Sequence, residues 1–411
     1  MAKSAPEPTR LVLCMVGLPA RGKTWIARKI ARYLAWLGYN AQVFNAGDYR
    51  RKWLGAGHRA DFFDPHNDEG ARARTEMAEL ALADLLGFMR SGGEVALYDA
   101  TNTTRARRDQ VRARCSAAGC TVVFVESVCE DPSILEANIR ETKLSSPDYA
   151  GIDPEDAVRD FRQRIDHYAK VYEPVQADEP ASSVRLIDVG RIVVLHRIEG
   201  YLPARLVSLL INLHVVRRPI LLTRHGESTH NVEGRIGGDP GLSPRGQRYA
   251  TQLARFVRRQ VLEPPVVWCS MLQRTIETCR PLAVPAMPWR ALDEIDAGVC
   301  DGMTYREIAD TLPDEYAARK RDKLRYRYPR GESYEDVIER LEPVILECER
   351  QRRPVVVVAH QAVLRALYAY FMDLPRERAP HVEVPLHTLI ELVPAPYGYV
   401  ERRHALSIEA E

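Results

Sequence analysis

The sequence predicts an α/β protein of two domains, each a mainly parallel sheet flanked by helices. Three observations carry that reading. Short apolar runs alternate with amphipathic stretches along the chain, the order that βα units impose. Many of the runs are apolar throughout, as strands covered on both faces are. The alternation lapses in a polar, proline-bearing stretch, Glu173-Pro-Val-Gln-Ala-Asp-Glu-Pro180, and in a mixed segment, 186–216, then restarts after Arg217-Arg218-Pro219. A boundary near 217 divides the 411 residues into domains 1–216 and 217–411, each of ordinary domain size.

In chain order, the first domain has strands at 11–16, 41–46, 95–99 and 121–126, with helices at 23–36, 69–89, 105–117, 132–143 and 154–171. The second has strands at 220–223, 266–269, 355–359 and 388–392, with helices at 244–260, 271–283, 334–350 and 362–371. No internal repeat relates the two halves.

Composition narrows the function. The 58 Lys and Arg against 56 Asp and Glu leave a formal charge of +2, and 45% of residues are hydrophobic. That excludes wholesale disorder, and it argues against a surface that tracks nucleic acid. Eight cysteines are scattered, with no C-x-x-C pair and no Cys/His cluster at zinc spacing. The opening MAKSAPEPTR lacks the apolar core of a secretory signal. No apolar run approaches the roughly 18 residues that span a bilayer. The expectation is a cytoplasmic protein with neither membrane nor nucleic-acid partner.

Directly after the first strand stands Gly17-Leu18-Pro19-Ala20-Arg21-Gly22-Lys23-Thr24, a match to G-x-x-x-x-G-K-[ST] in its strand-to-helix context. Backbone N–H groups of such a loop close around phosphate oxygens, and the following helix aims its positive end at the same anion. Lys23 is expected to neutralise the β- and γ-phosphates, and Thr24 to ligate Mg²⁺. The third strand delivers Asp99 at its C-terminal end, the edge where doubly wound sheets bind ligands. Asp99 either serves Mg²⁺ or an attacking hydroxyl, or caps the helix that starts at Arg105. Basic residues gather near strand ends and helix starts: Arg50, Arg51, Arg72, Arg74, Arg107, Lys143 and Arg164. A sugar phosphate needs such charges and forked donors. Cys129 follows the fourth strand on the same edge, as a packed thiol or as a site residue.

The second domain opens Ile220-Leu-Leu-Thr-Arg224-His225-Gly226-Glu227-Ser228, and a later strand runs Val355-Val-Val-Val-Ala-His360-Gln361. Two histidines thus sit at the tips of two parallel strands. A neutral imidazole attacks phosphorus directly and forms a phosphohistidine that water hydrolyses. Arg224 and Arg274 are the expected clamps on the phosphate, and they also favour the neutral ring. Glu294 is the candidate proton donor, with Asp293, Asp296 and Glu227 as rivals. A metal held by His225 and His360 is disfavoured, since no carboxylate or thiol accompanies them at ligand spacing.

The combination resembles the bifunctional 6-phosphofructo-2-kinase/fructose-2,6-bisphosphatase family, from about residue 10 to about residue 399. The matching stretches include GLPARGKT, DATNTT, ESVCEDP, SSPDY, RHGES, GRIGGD, RYRYPRGESYEDV, RLEPVI, AHQAVLR and PLHT. The resemblance implies a P-loop kinase fold followed by a histidine phosphatase, or phosphoglycerate mutase-like, fold. It implies ATP bound at Gly17 to Thr24 and at Asn138 to Lys143, with Lys23, Asp99 and Cys129 at the kinase site; the Mg²⁺ expected from the residues themselves would sit at Thr24 and Asp99. It places fructose 6-phosphate on Arg50, Arg74, Thr101, Arg107, Lys143, Arg164 and Tyr168. For the bisphosphatase it makes His225 the nucleophile, Glu294 the proton donor and His360 a charge-stabilising neighbour. Around the bisphosphate it sets Arg224, Asn231, Gly237, Arg274, Tyr305, Arg319, Lys323, Tyr334, Gln361 and Arg365. It also implies a homodimer formed through the kinase domains. Asp48 and Asp301 depart from the pattern, each standing where the family carries a longer residue, and are expected to tune affinity. The expected activity is synthesis of fructose 2,6-bisphosphate from ATP and fructose 6-phosphate, and its hydrolysis through phospho-His225. The rivals are a kinase/phosphatase of nucleic-acid ends, which needs a basic groove, and a non-catalytic metabolite sensor, which needs a missing catalytic group.

Overall fold

Leu11–Val16, buried at every residue, forms β1 inside the first sheet. The structure is a computed structural model that describes residues 10–143, 146–214, 216–261, 263–395 and 398–408, with the backbone alone for Thr142 and Lys143. The chain divides into two compact units, Met1–Leu213 and His214–Glu411.

In the first unit β1 is followed by α1 (Lys23–Leu37), β2 (Ala41–Asn45), α2 (Ala46–Leu54), α3 (Asp68–Arg90), β3 (Val95–Asp99) and α4 (Arg105–Ala117). Then come β4 (Thr121–Val128), α5 (Pro132–Asn138), α6 (Pro154–Ala169), β5 (Ser182–Ile187), β6 (Ile192–His196) and α7 (Tyr201–Leu210). The sheet order is β2-β3-β1-β4-β5-β6, parallel except for β6. Val12, Cys14 and Val16 of β1 meet Leu82, Leu85 and Met89 of α3 in one core cluster. Trimming such a buried leucine to alanine costs about 2–5 kcal/mol.

The second unit has β7 (Ile220–Arg224), α8 (Thr229–Glu233), α9 (Pro244–Gln260), β8 (Val266–Cys269), α10 (Gln273–Cys279), β9 (Ala286–Pro288) and α11 (Tyr305–Thr311). It continues with α12 (Pro313–Arg321), α13 (Tyr334–Arg350), β10 (Val355–Ala359), α14 (Gln361–Phe371), β11 (Thr388–Ala395) and β12 (Gly398–Ala405). The order is β12-β11-β7-β10-β8-β9, with β11 and β12 antiparallel additions to a parallel centre. Both units are α/β with mainly parallel sheets, as the sequence predicts.

The differences from expectation lie at edges and ends. The stretch 186–216 contains β6 and α7, while β5 begins just before it. β6 is an edge strand whose Ile192, Val194 and Leu195 stay exposed, so it lacks the apolar-inside pattern that marks a strand. The helix expected over 132–143 ends at Asn138 and continues as a π-helical stretch, Ile139–Lys143. The helix expected over 271–283 begins at Gln273, because the Met271 and Leu272 N–H groups are taken by Asp293 and Ser270 side chains. It ends at Cys279 because Pro281 has no N–H to continue the ladder, and a tighter turn, Arg280–Leu282, follows.

Candidate active sites

In the first unit the C-terminal tips of β3, β1 and β4 lie side by side, so the loop after β1, Asp99 and Cys129 share one edge. Gly17 is required here. Its φ is +130°, and a Cβ would stand 2.5 Å from the Ser127 carbonyl oxygen. Its N–H is held by the Thr101 carbonyl at 2.9 Å, which places Thr101 against the loop. Gly22 precedes α1 in a left-handed conformation, and no side chain caps that helix. Its first N–H groups are therefore left to an anion. Lys23 is buried, with Nζ donating to the Leu18 carbonyl at 2.6 Å, and Asn138 donates to the Ala20 carbonyl at 3.0 Å. Both are thereby folded onto the loop.

Asp99 is buried and accepts a hydrogen bond from Asn45. It does not cap α4; Thr104 does, accepting from the Arg107 N–H at 3.2 Å. The capping alternative is therefore set aside. Cys129 is buried, its thiol pushed up by burial and only weakly engaged with the Asp131 carbonyl. A packed neutral thiol is what its surroundings make.

Of the residues expected to hold the sugar phosphate, Arg50, Arg74, Arg164 and Tyr168 come together around Phe63. Arg50 pairs with buried Asp148, which also faces Arg51 at 3.4 Å and Arg164 at 3.9 Å. Arg107 stands in another network, paired with Glu79 and donating to the Tyr98 hydroxyl at 2.8 Å. The Lys143 side chain lies outside the described residues. Asp148 and Phe63 are residues that sequence reasoning missed; the first lies inside the SSPDY stretch, the only signal that pointed at it.

In the second unit β7 and β10 are paired in register, Arg224 opposite Ala359, so the residues that follow, His225 and His360, are neighbours. The His225 N–H donates to the Ala359 carbonyl at 3.0 Å, and the two rings lie 5.1 Å apart. His225 Nδ1 sits 2.6 Å from the Gly226 carbonyl, an oxygen that only accepts. Nδ1 therefore carries the proton, and the lone pair is on Nε2, which faces Arg274 Nε at 3.2 Å. Burial first, then the Arg274 guanidinium, hold His225 well below the usual imidazole range. Burial, Arg274 and His225 do the same to His360. His360 Nε2 meets Ser270 Oγ at 2.7 Å, and Ser270 follows β8, the next strand tip along the same edge. Ser270 was not singled out from sequence, although its place after an apolar run matches that of both histidines.

Glu294 reaches the start of α14, where its carboxylate accepts from the Gln361 and Ala362 N–H groups at 3.1 and 3.2 Å. Its charge acts on both Arg224 and Arg274. The rivals are engaged elsewhere: Asp293 with the Met271 N–H at 2.7 Å, Asp296 with the Gly298 N–H at 2.8 Å, and Glu227 with the Ser243 hydroxyl at 2.8 Å.

The cations around this site are aimed by neutral oxygens. Arg274 donates to the Gly238 carbonyl at 2.7 Å, Arg224 to Val384 at 3.4 Å, Arg365 to Val382 at 2.7 Å, and Lys323 to Pro380 at 2.9 Å. Arg319 donates to the Tyr328 and Tyr305 hydroxyls at 2.7 and 2.9 Å, and Arg365 to Tyr334 at 3.2 Å. Burial, with Arg365 and Arg319 beside it, lowers the Lys323 ammonium to about 8. Asn231 closes a capping box with Ser228. Gly237 has φ +70°, and a Cβ there would fall 1.6 Å from Asp301 Oδ1. Asp301, which sequence flagged only as a departure, accepts from the Gly238 N–H at 2.9 Å and so holds the turn on which Arg274 rests.

Compared with known proteins, residues 2–217 match the 6-phosphofructo-2-kinase family and residues 220–406 the histidine phosphatase superfamily, branch 1. A 6-phosphofructo-2-kinase/fructose-2,6-bisphosphatase of Arabidopsis thaliana is 52% identical over 408 residues, which cover 97% of this chain and 54% of that protein. One of Gallus gallus is 49% identical over 406 residues, covering 98% of this chain and 86% of that protein. 6-Phosphofructo-2-kinase/fructose-2,6-bisphosphatase 3 of Homo sapiens is 46% identical over 412 residues, covering 99% and 79%. The chain thus spans about half the length of the plant relative and most of the other two. Among solved structures, the alpha-ribazole phosphatase of Shigella flexneri aligns at TM-score 0.42 and 24% identity, over 47% of this chain and 99% of that one. Two family matches in chain order, with relatives of this identity along almost the whole length, show that the chain belongs to the 6-phosphofructo-2-kinase/fructose-2,6-bisphosphatase family.

Proposed function

We propose that the first unit makes fructose 2,6-bisphosphate from ATP and fructose 6-phosphate and that the second hydrolyses it to fructose 6-phosphate and phosphate. The observation that carries the reading is His225: its proton is on Nδ1, and its Nε2 lone pair faces Arg274 beside a second buried histidine. That is a nucleophile set beside a phosphate clamp. Nε2 attacks the 2-phosphate, while Arg224 and Arg274 stabilise the equatorial charge that builds up. Glu294 gives the leaving 2-oxygen its proton and then takes one from the attacking water. Arg319, Lys323 and Arg365, with Tyr305 and Tyr334, supply a second cationic group for the 6-phosphate.

In the kinase, Gly17 to Thr24 and Asn138 hold the nucleotide phosphates, and Lys23 leaves Leu18 for the β/γ oxygens. Asp99 accepts the proton of the 2-hydroxyl, and Arg50, Arg74 and Arg164 take the 6-phosphate. Mg²⁺ supplies charge neutralisation of the triphosphate when bound. Thr24 and Asp99 are the residues that fit it, one on the first turn of α1 and one a buried carboxylate on the neighbouring strand tip. No group of three acidic, histidine or cysteine ligands is preassembled among the described residues. This fits an ion that arrives with the nucleotide.

Two further readings join these. Among the described residues no helix is long and apolar enough to cross a membrane. All eight cysteines are buried thiols outside any disulfide, which supports a reducing cytoplasm. β6 ends the first sheet with Ile192 54% exposed, Val194 49% and Leu195 48%, an apolar edge suited to pairing with a second copy. Val194→Lys should then shift the sedimenting species from dimer to monomer.

The test of function is a paired assay on Lys23→Ala and His225→Ala. Each is expected to abolish one activity and spare the other. A wild type lacking both activities would overturn the substrate assignment.

A further inference from the structure

Three guanidinium groups from three helices converge on one benzene ring. The Phe63 ring centroid lies 3.6 Å from Arg164 Cζ, 5.5 Å from Arg50 Cζ and 5.9 Å from Arg74 Cζ. Arg50 belongs to α2, Arg74 to α3 and Arg164 to α6, so the ring joins helices far apart in sequence. Phe63 is 3% exposed and is wedged edge-on against Phe62 at 5.2 Å, with Tyr168 at 6.0 Å. Its place is therefore fixed by packing, and it is the one ring that all three guanidinium groups share, although Arg74 lies equally near Phe62 at 5.8 Å.

Like charges at this spacing repel, and something must hold them together in the absence of an anion. Asp148 is the carboxylate paired with Arg50 and facing Arg164 at 3.9 Å, and it also faces Arg51 at 3.4 Å, while Arg74 has the Phe62 carbonyl and the charge of Asp64, so Arg164 is left with only a long share of one carboxylate. The ring supplies the remainder without consuming what a phosphate needs. A cation over an aromatic face is attracted by the ring quadrupole while its N–H edge stays free. Arg164 shows the result: its Nε is buried and makes no hydrogen bond among the described residues.

We infer that Phe63 is a positioning residue for the sugar-phosphate site, the shared platform that aligns Arg50, Arg74 and Arg164 for the phosphate of the acceptor. This rests on the kinase reading above. The ring touches no reacting atom, so its loss weakens capture of the acceptor and leaves the nucleotide side alone.

The experiment measures kinase KM for fructose 6-phosphate and for ATP in the full chain with Phe63→Leu, Phe63→Met and Phe63→Tyr. Bisphosphatase activity in the same tube reports on folding of the remainder of the chain. Losing the ring is expected to raise the fructose 6-phosphate KM by roughly ten- to a hundredfold, with the ATP KM within about twofold, and Phe63→Tyr is expected to restore most of the affinity. An unchanged fructose 6-phosphate KM in either ring-free variant overturns the inference. So does a parallel rise in both KM values in Leu and Met variants, or a Tyr variant as impaired as they are, because the side chain then acts through packing alone. A wild type that does not phosphorylate fructose 6-phosphate overturns the kinase reading itself, and the inference with it.

Discussion

The two candidate sites hold most of their cations in different ways. In the first, Arg50, Arg51 and Arg164 face the carboxylate of Asp148, and Arg107 and Arg114 face that of Glu79. In the second, Arg224, Arg274, Arg365 and Lys323 are aimed by carbonyl oxygens and Arg319 by tyrosine hydroxyls. A carbonyl orients a guanidinium without cancelling its charge, whereas a carboxylate does both. The difference suits the chemistry. On the proposed function the second site keeps a histidine neutral and meets a substrate with two phosphates, and cations whose hydrogen bonds go to neutral oxygens, with Glu294 as the carboxylate shared by Arg224 and Arg274, serve both needs. On the same proposal the first receives a nucleotide as well as a sugar phosphate, and part of its charge is balanced in their absence by Asp148 and Glu79.

Arg274→Ala breaks the comparison most sharply, since it removes the charge facing Nε2. The bisphosphatase kcat is expected to fall by about 10²–10³-fold in single-turnover assays while the kinase rate holds. Arg274→Lys should recover little, because a point charge does not reproduce the fork.

Asp148→Asn tests the other side. Leaving buried Arg50 without its partner should destabilise the first unit by about 3 kcal/mol, read as a lower urea midpoint for loss of kinase activity than of bisphosphatase activity. Coincident midpoints for the two activities would show that the carboxylate does not carry the first unit's stability.

A smaller effect comes from Lys323, lowered to about 8. Charged below that pH and neutral above it, the ammonium is lost to the substrate as pH rises. The bisphosphate KM should therefore climb above pH 8 by up to about tenfold per unit, and Lys323→Arg should flatten the profile. Smallest is Asp301→Ala, which frees the Gly238 N–H and loosens the Arg274 support. About 1 kcal/mol, or roughly fivefold in bisphosphatase kcat/KM, is expected.

The sequence made the strand tips legible, and the reason is physical. Buried parallel strands are written as continuous apolar runs, so Asp99, His225 and His360 announce themselves by following one. The phosphate loop is legible because Gly17 and Gly22 answer to backbone constraints that no other residue meets. What stayed hidden lies where partners are remote in sequence. Phe63, Asp148 and Ser270 act through residues 101, 98 and 90 positions away, at Arg164, Arg50 and His360, and no local period encodes such meetings. β6 was equally silent, because an exposed edge strand has no buried face to pattern. Of the expected sugar-phosphate ligands, Arg107 has its own network with Glu79, a grouping that spacing does not express.

That burial, and after it the Arg274 guanidinium, keeps His225 neutral and nucleophilic is tested most directly by the rapid-quench burst of protein-bound phosphate at pH 5.5 and 7.5, using 2-labelled fructose 2,6-bisphosphate. A His225 held well below the ordinary imidazole range should give a burst of similar amplitude at both pH values, approaching one phosphate per chain and absent in His225→Ala. A burst that fades between 7.5 and 5.5, as an ordinary imidazole titrating near 6.5 would make it, contradicts the account.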